Sequence, residues 1–302
     1  MNKSLKISVV VCTFNDGDKI ARCLTSVKFA DEIVVVDDGS TDNTIEIASK
    51  FTKNIFKHKS VGYVEPARNF AISKATGDWI LVIDSDEEIS AKLAEKLTVF
   101  SRNSDSSYVE IPRKNIIFGK WMKASMWWPD YNIRFFRKNT VVWSNKIHSN
   151  PQATGSGVKL EPAEDNAIVH YNYSNIAQFV ERNSRYSKIQ AEELFRDGVR
   201  FEWNDLFRKP LGEFLGRFFA NKGYADGMHG LSLSLLQAFM FLLQYLYLWE
   251  LSGFKDGSFS LKEVKKETSL AGKQIKYWFD FSELSTNSLK REMQKIKNKL
   301  KR

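Results

Sequence analysis

The sequence predicts an α/β protein built on a mainly parallel sheet flanked by helices. Three observations carry that expectation. Short apolar, β-branched runs recur at residues 7–12, 32–36 and 79–83. Segments with helical spacing separate them, as parallel strands require. Each run ends in a polar loop, at residues 13–18, 37–42 and 84–88. In a doubly wound sheet ligands bind beyond the carboxyl ends of the strands, so these three loops are expected on one rim.

Residues 7–12 read as a strand buried on both faces, because the run is continuous rather than alternating. Residues 19–28 are helical, with Ile20, Leu24 and Val27 inward. A second buried strand at 32–36 runs into Asp37-Asp38-Gly39-Ser40, and Thr41-Asp42 open a helix with Ile45 and Ala48 inward. Residues 54–57 suit a short strand. Residues 66–75 suit a helix stopped by Gly77, and the third strand, 79–83, leads to Asp84-Ser85-Asp86-Glu87-Glu88. Between 108 and 143 the pattern changes to short strand-like pieces at 109–112, 116–118, 133–136 and 141–143. These are crowded with Trp121, Trp127, Trp128, Tyr131, Phe135 and Phe136. That suits an antiparallel extension offering a lid or acceptor surface. A Gly-containing loop at 153–162 and a strand at 169–173 close the unit.

Helices are expected at 175–198 and 204–222. Residues 231–249 carry no charge but are diluted by Ser232, Ser234, Gln237 and Gln244. They suit a buried or membrane-surface helix better than a span. The expected organisation is a domain over 1–173, a helical membrane-associating region over 174–254, and a basic tail over 255–302.

Charge locates rather than defines the partners. The net charge is +9, but residues 1–100 carry −2, residues 101–254 carry +4, and residues 255–302 carry +7. A protein that coats nucleic acid is disfavoured by such localised charge, and a basic tail against anionic lipid remains. The two cysteines, Cys12 and Cys23, form no disulfide or zinc pattern, and the first apolar run is too short for a signal-peptide core. A reducing cytoplasmic location is expected.

Chemistry concentrates at the strand ends. Asp84 and Asp86, at i and i+2 on a turn, can converge on a hard divalent cation that bridges a diphosphate; an acidic helix cap is the plain alternative. A carboxylate of the Asp37-Asp38-Gly39-Ser40-Thr41-Asp42 loop can accept from a base N–H or simply cap the next helix, and Phe14, within Thr13-Phe14-Asn15, can stack on a base. Arg68 can reach a pyrophosphate in bidentate fashion. Arg134 and Arg137 suit either an acceptor phosphate or solvated surface charge.

The ordered strings CTFN, VVVDDGSTDNT and EPARNFAISKATGDWILVIDSDEE resemble family 2 glycosyltransferases of the GT-A fold. WWPDYNIRFFRK, IHSNP and LLQYLYLWE are similar to the lipopolysaccharide-core β-glucosyltransferase-like subgroup. The resemblance implies an inverting, metal-dependent transfer of a sugar, a hexose such as glucose, from a nucleotide-diphosphate sugar to a lipopolysaccharide-core or lipid-linked glycan. It implies base contact by Asp38, and nucleotide contact by Thr13, Phe14, Asn15, Arg68 and Asp84. Mg²⁺ or Mn²⁺ would be held by Asp84 and Asp86, with His148 as a further metal candidate. For the catalytic base, Asp130 leads. Its aromatic neighbours are expected to raise its pKa. Glu87 and the Glu164-Asp165 pair are alternatives. Where many relatives carry His-Glu this chain has His148-Ser149, which removes one acidic candidate. The expected partners are the nucleotide sugar, a glycan or glycolipid acceptor and the inner face of the cell membrane, with no nucleic acid. Other cell-surface polysaccharide or protein acceptors remain alternatives. A sugar nucleotidyltransferase would want a GxGTRL-type first loop, which CTFNDGD is not. A phospho-receiver module would be about half this length and leaves the aromatic insertion unexplained.

Overall fold

The structure, a computed structural model, describes residues 5–59, 65–143, 151–255 and 258–286. In order, its elements are β1 (Ile7–Thr13), α1 (Ile20–Ser26), β2 (Glu32–Asp37), α2 (Thr44–Ala48), β3 (Ile55–Lys57), α3 (Glu65–Lys74), β4 (Trp79–Asp84), β5 (Glu87–Glu88), α4 (Ala91–Asn103), β6 (Tyr108–Ile117), β7 (Lys120–Trp121) and β8 (Asp130–Arg137). They continue with β9 (Val141–Val142), β10 (Gln152–Ala153), β11 (Gly157–Lys159), β12 (Ile168–Tyr173), α5 (Ile176–Arg196), α6 (Asp205–Leu215), α7 (Met228–Leu251) and α8 (Leu261–Thr286). The chain divides into two compact units. One comprises residues 1–116 and 128–172, the other residues 117–127 and 173–302.

The first unit is organised by its sheet, in the order β3-β2-β1-β4-β8-β6-β12-β5. The β3-β2-β1-β4 half is parallel, whereas β8 runs antiparallel to β4 and to β6. The sheet is therefore mixed, with its parallel half on the N-terminal segment. Continuous apolar runs explain that half, because alternate residues feed different cores. Val9, Val11, Leu81 and Ile83 join one buried cluster, and Val10, Cys12, Ile80 and Val82 join the other. A strand covered on both faces reads as a near-continuous apolar run, and the buried exception inside the β1 run, Ser8, donates to Glu32 and accepts from the Gly77 N–H at 2.7 Å.

Helix α4 escaped the sequence pattern above. Its start is marked by Ser90, whose Oγ accepts from the Leu93 N–H at 3.1 Å, an N-cap of the ordinary kind. Asp42 and Thr41 precede α2 rather than begin it: the Asp42 carboxylate accepts from the Thr44 N–H at 3.0 Å, and the helix starts there. Its inward residues are Thr44 and Ala48, with Ile47 against the core. In the aromatic extension Phe135 and Phe136 are core, whereas Trp121, Trp127, Trp128 and Tyr131 stay half-buried. Phe135 stacks on Trp79 at 4.7 Å within one cluster, and Phe136 packs on Trp143 at 5.7 Å within the other.

The second unit is helical. Helix α7 is 24 residues long and is the one helix among the described residues long and apolar enough to cross a membrane. One third of its most apolar window is buried inside the protein. Gly230 permits its N-terminal turn to pack tightly, since a Cβ there would lie 1.8 Å from the Gly223 carbonyl oxygen. Ser187 Oγ of α5 donates to the Met240 carbonyl at 3.0 Å, and Leu233 and Leu248 are fully buried.

Candidate functional site

The register of the parallel strands aligns three loops on one rim. Cys12 pairs with both Val36 and Asp84, and Thr13 pairs with Asp37. The loops are then stitched together. The Asp38 N–H donates to the Thr13 carbonyl at 3.0 Å. The Asn15 N–H donates to Ser40 Oγ at 2.9 Å, and Asn15 Oδ1 accepts from the Thr41 N–H at 2.8 Å. Asn15 takes a left-handed φ of 54°, which Asn tolerates better than most residues. Asp16 Oδ2 accepts from Thr13 Oγ1 at 3.1 Å and from Ser85 Oγ. Phe14 projects from this frame and is 52% exposed.

Asp38 is buried, and its Oδ1 lies 2.8 Å from His58 Nδ1. Burial pushes the Asp38 carboxyl above its ordinary value, against the opposing pull of His58. His58, carried just after β3, is a site residue that the sequence reading passed over.

Arg68 reaches across from α3 to Asp84, with one Nη2 at 2.9 and 3.0 Å from the two carboxylate oxygens. Arg134 Nη2 meets the same carboxylate at 2.8 Å and Glu87 at 3.1 Å. Burial favours the neutral form of Asp84, but these two guanidinium groups win and hold it well below the usual carboxylate range. Arg134 is 3% exposed, so it is not a solvated surface charge. Its Nε and Nη1 are buried without a hydrogen-bond partner. Arg137 likewise turns inward, donating to the Ser104 and Ser106 carbonyls at 2.7 and 3.2 Å, with its guanidinium 4.8 Å from the Trp79 ring centre.

Glu87 is fully buried. Besides Arg134 it meets Arg113 at 3.5 Å and accepts from the Asp84 N–H at 2.9 Å. That enclosure separates it from any hydroxyl arriving from solvent. Asp130 begins β8 and pairs with Arg113 at 2.6 Å. Asn115 donates to its Oδ2 at 3.2 Å, and Asn132 to its Oδ1 at 3.2 Å. Burial pushes the Asp130 carboxyl up, but Arg113 and Asn115 outweigh it and the net shift is downward. The raised value expected from aromatic neighbours is thus reversed: Phe135 and Phe136 are committed to the core, and the acid's neighbours are donors. Glu164 and Asp165 lie on the exposed edge, paired with Lys114 and Lys92.

Asp86 is buried, and its Oδ1 lies 3.6 Å from His170 Nε2 on β12. His170 is 4% exposed, and its Nδ1 lies 2.7 Å from Asn115 Oδ1. His170 was legible as a strand residue only. The buried face of β12 carries Ile168, His170 and Asn172, and two polar residues on a buried face are the signal that could have marked it. His148 lies outside the described residues. Among the described residues no group of three or more His, Cys, Asp and Glu side chains is arranged to hold a metal ion. The donors present suit a cation held by few protein atoms and completed by phosphate oxygens and water, the habit of Mg²⁺ at nucleotide sites. Asp84 fits that role less well than expected, because a cation there would compete with two arginines.

A family model described as glycosyl transferase family 2 matches residues 8–164. An uncharacterised glycosyltransferase of Rickettsia typhi is 32% identical over 260 residues, covering 82% of this chain and 88% of its own. The lipopolysaccharide core biosynthesis glycosyltransferase LpsC of Rhizobium meliloti is 23% identical over 76% of this chain and 87% of its own. Among solved structures, S. aureus TarS 1–349 in complex with UDP aligns over 85% of this chain and 94% of that one, at 18% identity and a TM-score of 0.43.

Proposed function

The chain belongs to the family 2 glycosyl transferases, and on that premise we propose that it transfers a hexose from a nucleotide-diphosphate sugar, with inversion at the anomeric carbon, to a lipopolysaccharide-core or lipid-linked glycan. The observation that carries this reading is the joined rim of three strand-end loops, which gathers Asp38, Arg68, Asp84 and Asp86 in one place. The LpsC relative favours the lipopolysaccharide-core acceptor over another surface polysaccharide or a protein.

The residues divide the work by environment. Asp38, with its pKa raised and His58 beside it, receives the nucleobase N–H, and Phe14 offers its exposed ring to the base plane. Thr13 and Asn15 shape the loop beneath the nucleotide. Arg68 and Asp84 form a preset pair, so the arginine meets the diphosphate already oriented. A bound Mg²⁺ or Mn²⁺ at Asp86 would neutralise charge on the departing diphosphate. Asp130 takes the proton of the acceptor hydroxyl, and Arg113 keeps it ionised at neutral pH. Glu87 is assigned to positioning: it fixes the Asp84 backbone and shares Arg134. The exposed apolar surface of the second unit and the basic tail suit peripheral attachment at the inner face of the cell membrane.

A thermal-shift screen of UDP-, GDP- and dTDP-sugars, each with and without Mn²⁺, tests the donor site. One nucleotide class is expected to raise the melting temperature in a metal-dependent way, as linkage demands of a ligand bound only by the native state. The absence of a shift with every donor would sink the proposal.

A further inference from the structure

We propose that His58 sets the nucleobase preference of the donor site: by holding Asp38 Oδ1 it leaves one carboxylate oxygen for the base, which selects the imide edge of uracil or thymine against guanine, adenine and cytosine. The inference rests on the reading of Asp38 as the base acceptor and deepens it by naming the class of donor nucleotide.

His58 arrives beside Asp38 by strand register. β2 pairs parallel with β3, with Asp37 opposite Lys57. The ladder continues one bond further, as the His58 N–H donates to the Asp37 carbonyl at 2.8 Å. The residues that follow the two strands, Asp38 and His58, therefore stand next to one another. The Phe70 ring of α3 packs on the imidazole, with ring centres 5.4 Å apart. The Asp38 N–H is tied to the Thr13 carbonyl at 3.0 Å. Backbone bonds on both residues and the Phe70 ring hold this pair in place.

His58 Nδ1 lies 2.8 Å from Asp38 Oδ1. At that distance one proton lies between the two atoms, and Oδ1 is engaged whichever of them bears it. Among the described residues no other group donates to the Asp38 carboxyl, so Oδ2 is the oxygen left to accept. The bases differ in what they offer to a single oxygen. Uracil and thymine present one donor, N3–H, between two carbonyls, and one acceptor satisfies it. Guanine presents N1–H and N2–H side by side, a pair matched to both oxygens of a carboxylate. With Oδ1 taken, one of those donors goes unpaired. Adenine and cytosine present an amine beside a ring-nitrogen lone pair. That lone pair finds no donor here, because the one proton at the carboxyl is already shared with His58. Asp38 is 9% exposed, so water is poorly placed to compensate the unpaired group. Such unpaired groups are what allow a polar site to reject a near-isostere.

Titration calorimetry of the full chain with UDP, dTDP, GDP, ADP and CDP, all in Mn²⁺, tests this. UDP and dTDP are expected to bind the native protein about 10- to 100-fold more tightly than the other three. His58→Ala frees Oδ1, and guanine can then use both oxygens, so the preference for UDP over GDP should shrink about 10-fold. In His58→Asn the side-chain amide can supply the contact made by Nδ1, and the native preference should persist. A merely structural role would weaken every nucleotide together and leave the preference unchanged. Parallel loss of UDP and GDP affinity in His58→Ala therefore overturns the assignment. A native protein that prefers GDP, ADP or CDP, or binds all five alike, overturns it as well. Both outcomes leave the nucleotide-sugar reading standing, whereas no binding of any of the five removes that reading too. The native and His58→Asn measurements can refute the assignment even if His58→Ala does not fold.

Discussion

The two units spend their unusual residues in opposite ways. In the first, charge is buried or half-buried and paired: Arg134 joins Asp84 to Glu87, and Arg113 joins Glu87 to Asp130, in one ionic web under the rim. Its exposed large apolar side chains among the described residues are three, Phe14, Val99 and Val142. Among the described residues of the second unit sixteen large apolar side chains are exposed, and aromatic rings such as Tyr277 and Phe281 stack on each other at 6.2 Å while half open to solvent. Buried charge is tolerated only where every partner is supplied, and such webs cost stability in exchange for fixed geometry. Exposed aromatics are tolerated where a second phase covers them. The contrast fits the proposal made above, in which the first unit carries the chemistry and the second the attachment.

The contrast can be broken at several points. Asp86→Ala should eliminate metal-dependent sugar transfer, while its melting temperature stays near that of the native protein; transfer at the native rate would detach the acidic turn from the chemistry. Asp130→Asn is expected to lower kcat by about 10²–10⁴-fold, the usual range for a lost general base. Donor-induced thermal stabilisation should persist in that variant, and steady-state kinetics together with a thermal shift would read both.

Arg134→Met probes the web itself. It leaves Glu87 and Asp84 without their shared buried cation, which should cost roughly 3–5 kcal/mol in urea unfolding. The sign of the pH dependence follows from Asp84. A carboxyl held low in the folded state contributes stability that is complete above its unfolded value, about 3.9, and is lost as pH falls toward its depressed folded value. The native protein should therefore weaken steeply below about pH 4, and Arg134→Met, with Asp84 less depressed, should show a shallower acid slope. Equal slopes would mean that Arg134 does not hold Asp84.

The smallest effect is expected in the second unit. Replacing Tyr277 and Phe281 together by Ser should reduce binding to vesicles rich in anionic lipid several-fold, since half-exposed rings have only part of their roughly 1.5–3 kcal/mol of burial still to gain. Nucleotide-sugar hydrolysis without acceptor should be unchanged. Equal vesicle binding by the double variant would remove α8 from the attachment surface.

How much of this was legible beforehand differs by residue. Helix α5 was readable because its apolar positions repeat locally, and Asn175 caps it by accepting from the Gln178 N–H at 2.9 Å. The pairs Arg68–Asp84 and Arg134–Asp84 were not readable, because they join residues 16 and 50 positions apart. The first brings α3 over the end of β4, and the second depends on β8 inserting antiparallel beside β4. Asp130 illustrates both sides: its presence among aromatics was visible, but its pKa was decided by Arg113 and Asn115, which arrive from the neighbouring strand.

By itself, then, the sequence determined the strands of the parallel half, the polar loops that follow them and the family to which they belong. Those features are local: side-chain periodicity and turn chemistry act over a few residues and survive any arrangement of the rest. Only the tertiary structure decided which acids are paired, which arginine is buried, and that His170 faces Asp86. Ionisation and tautomer depend on distances of a few ångströms between groups far apart in the chain, and packing alone sets those distances.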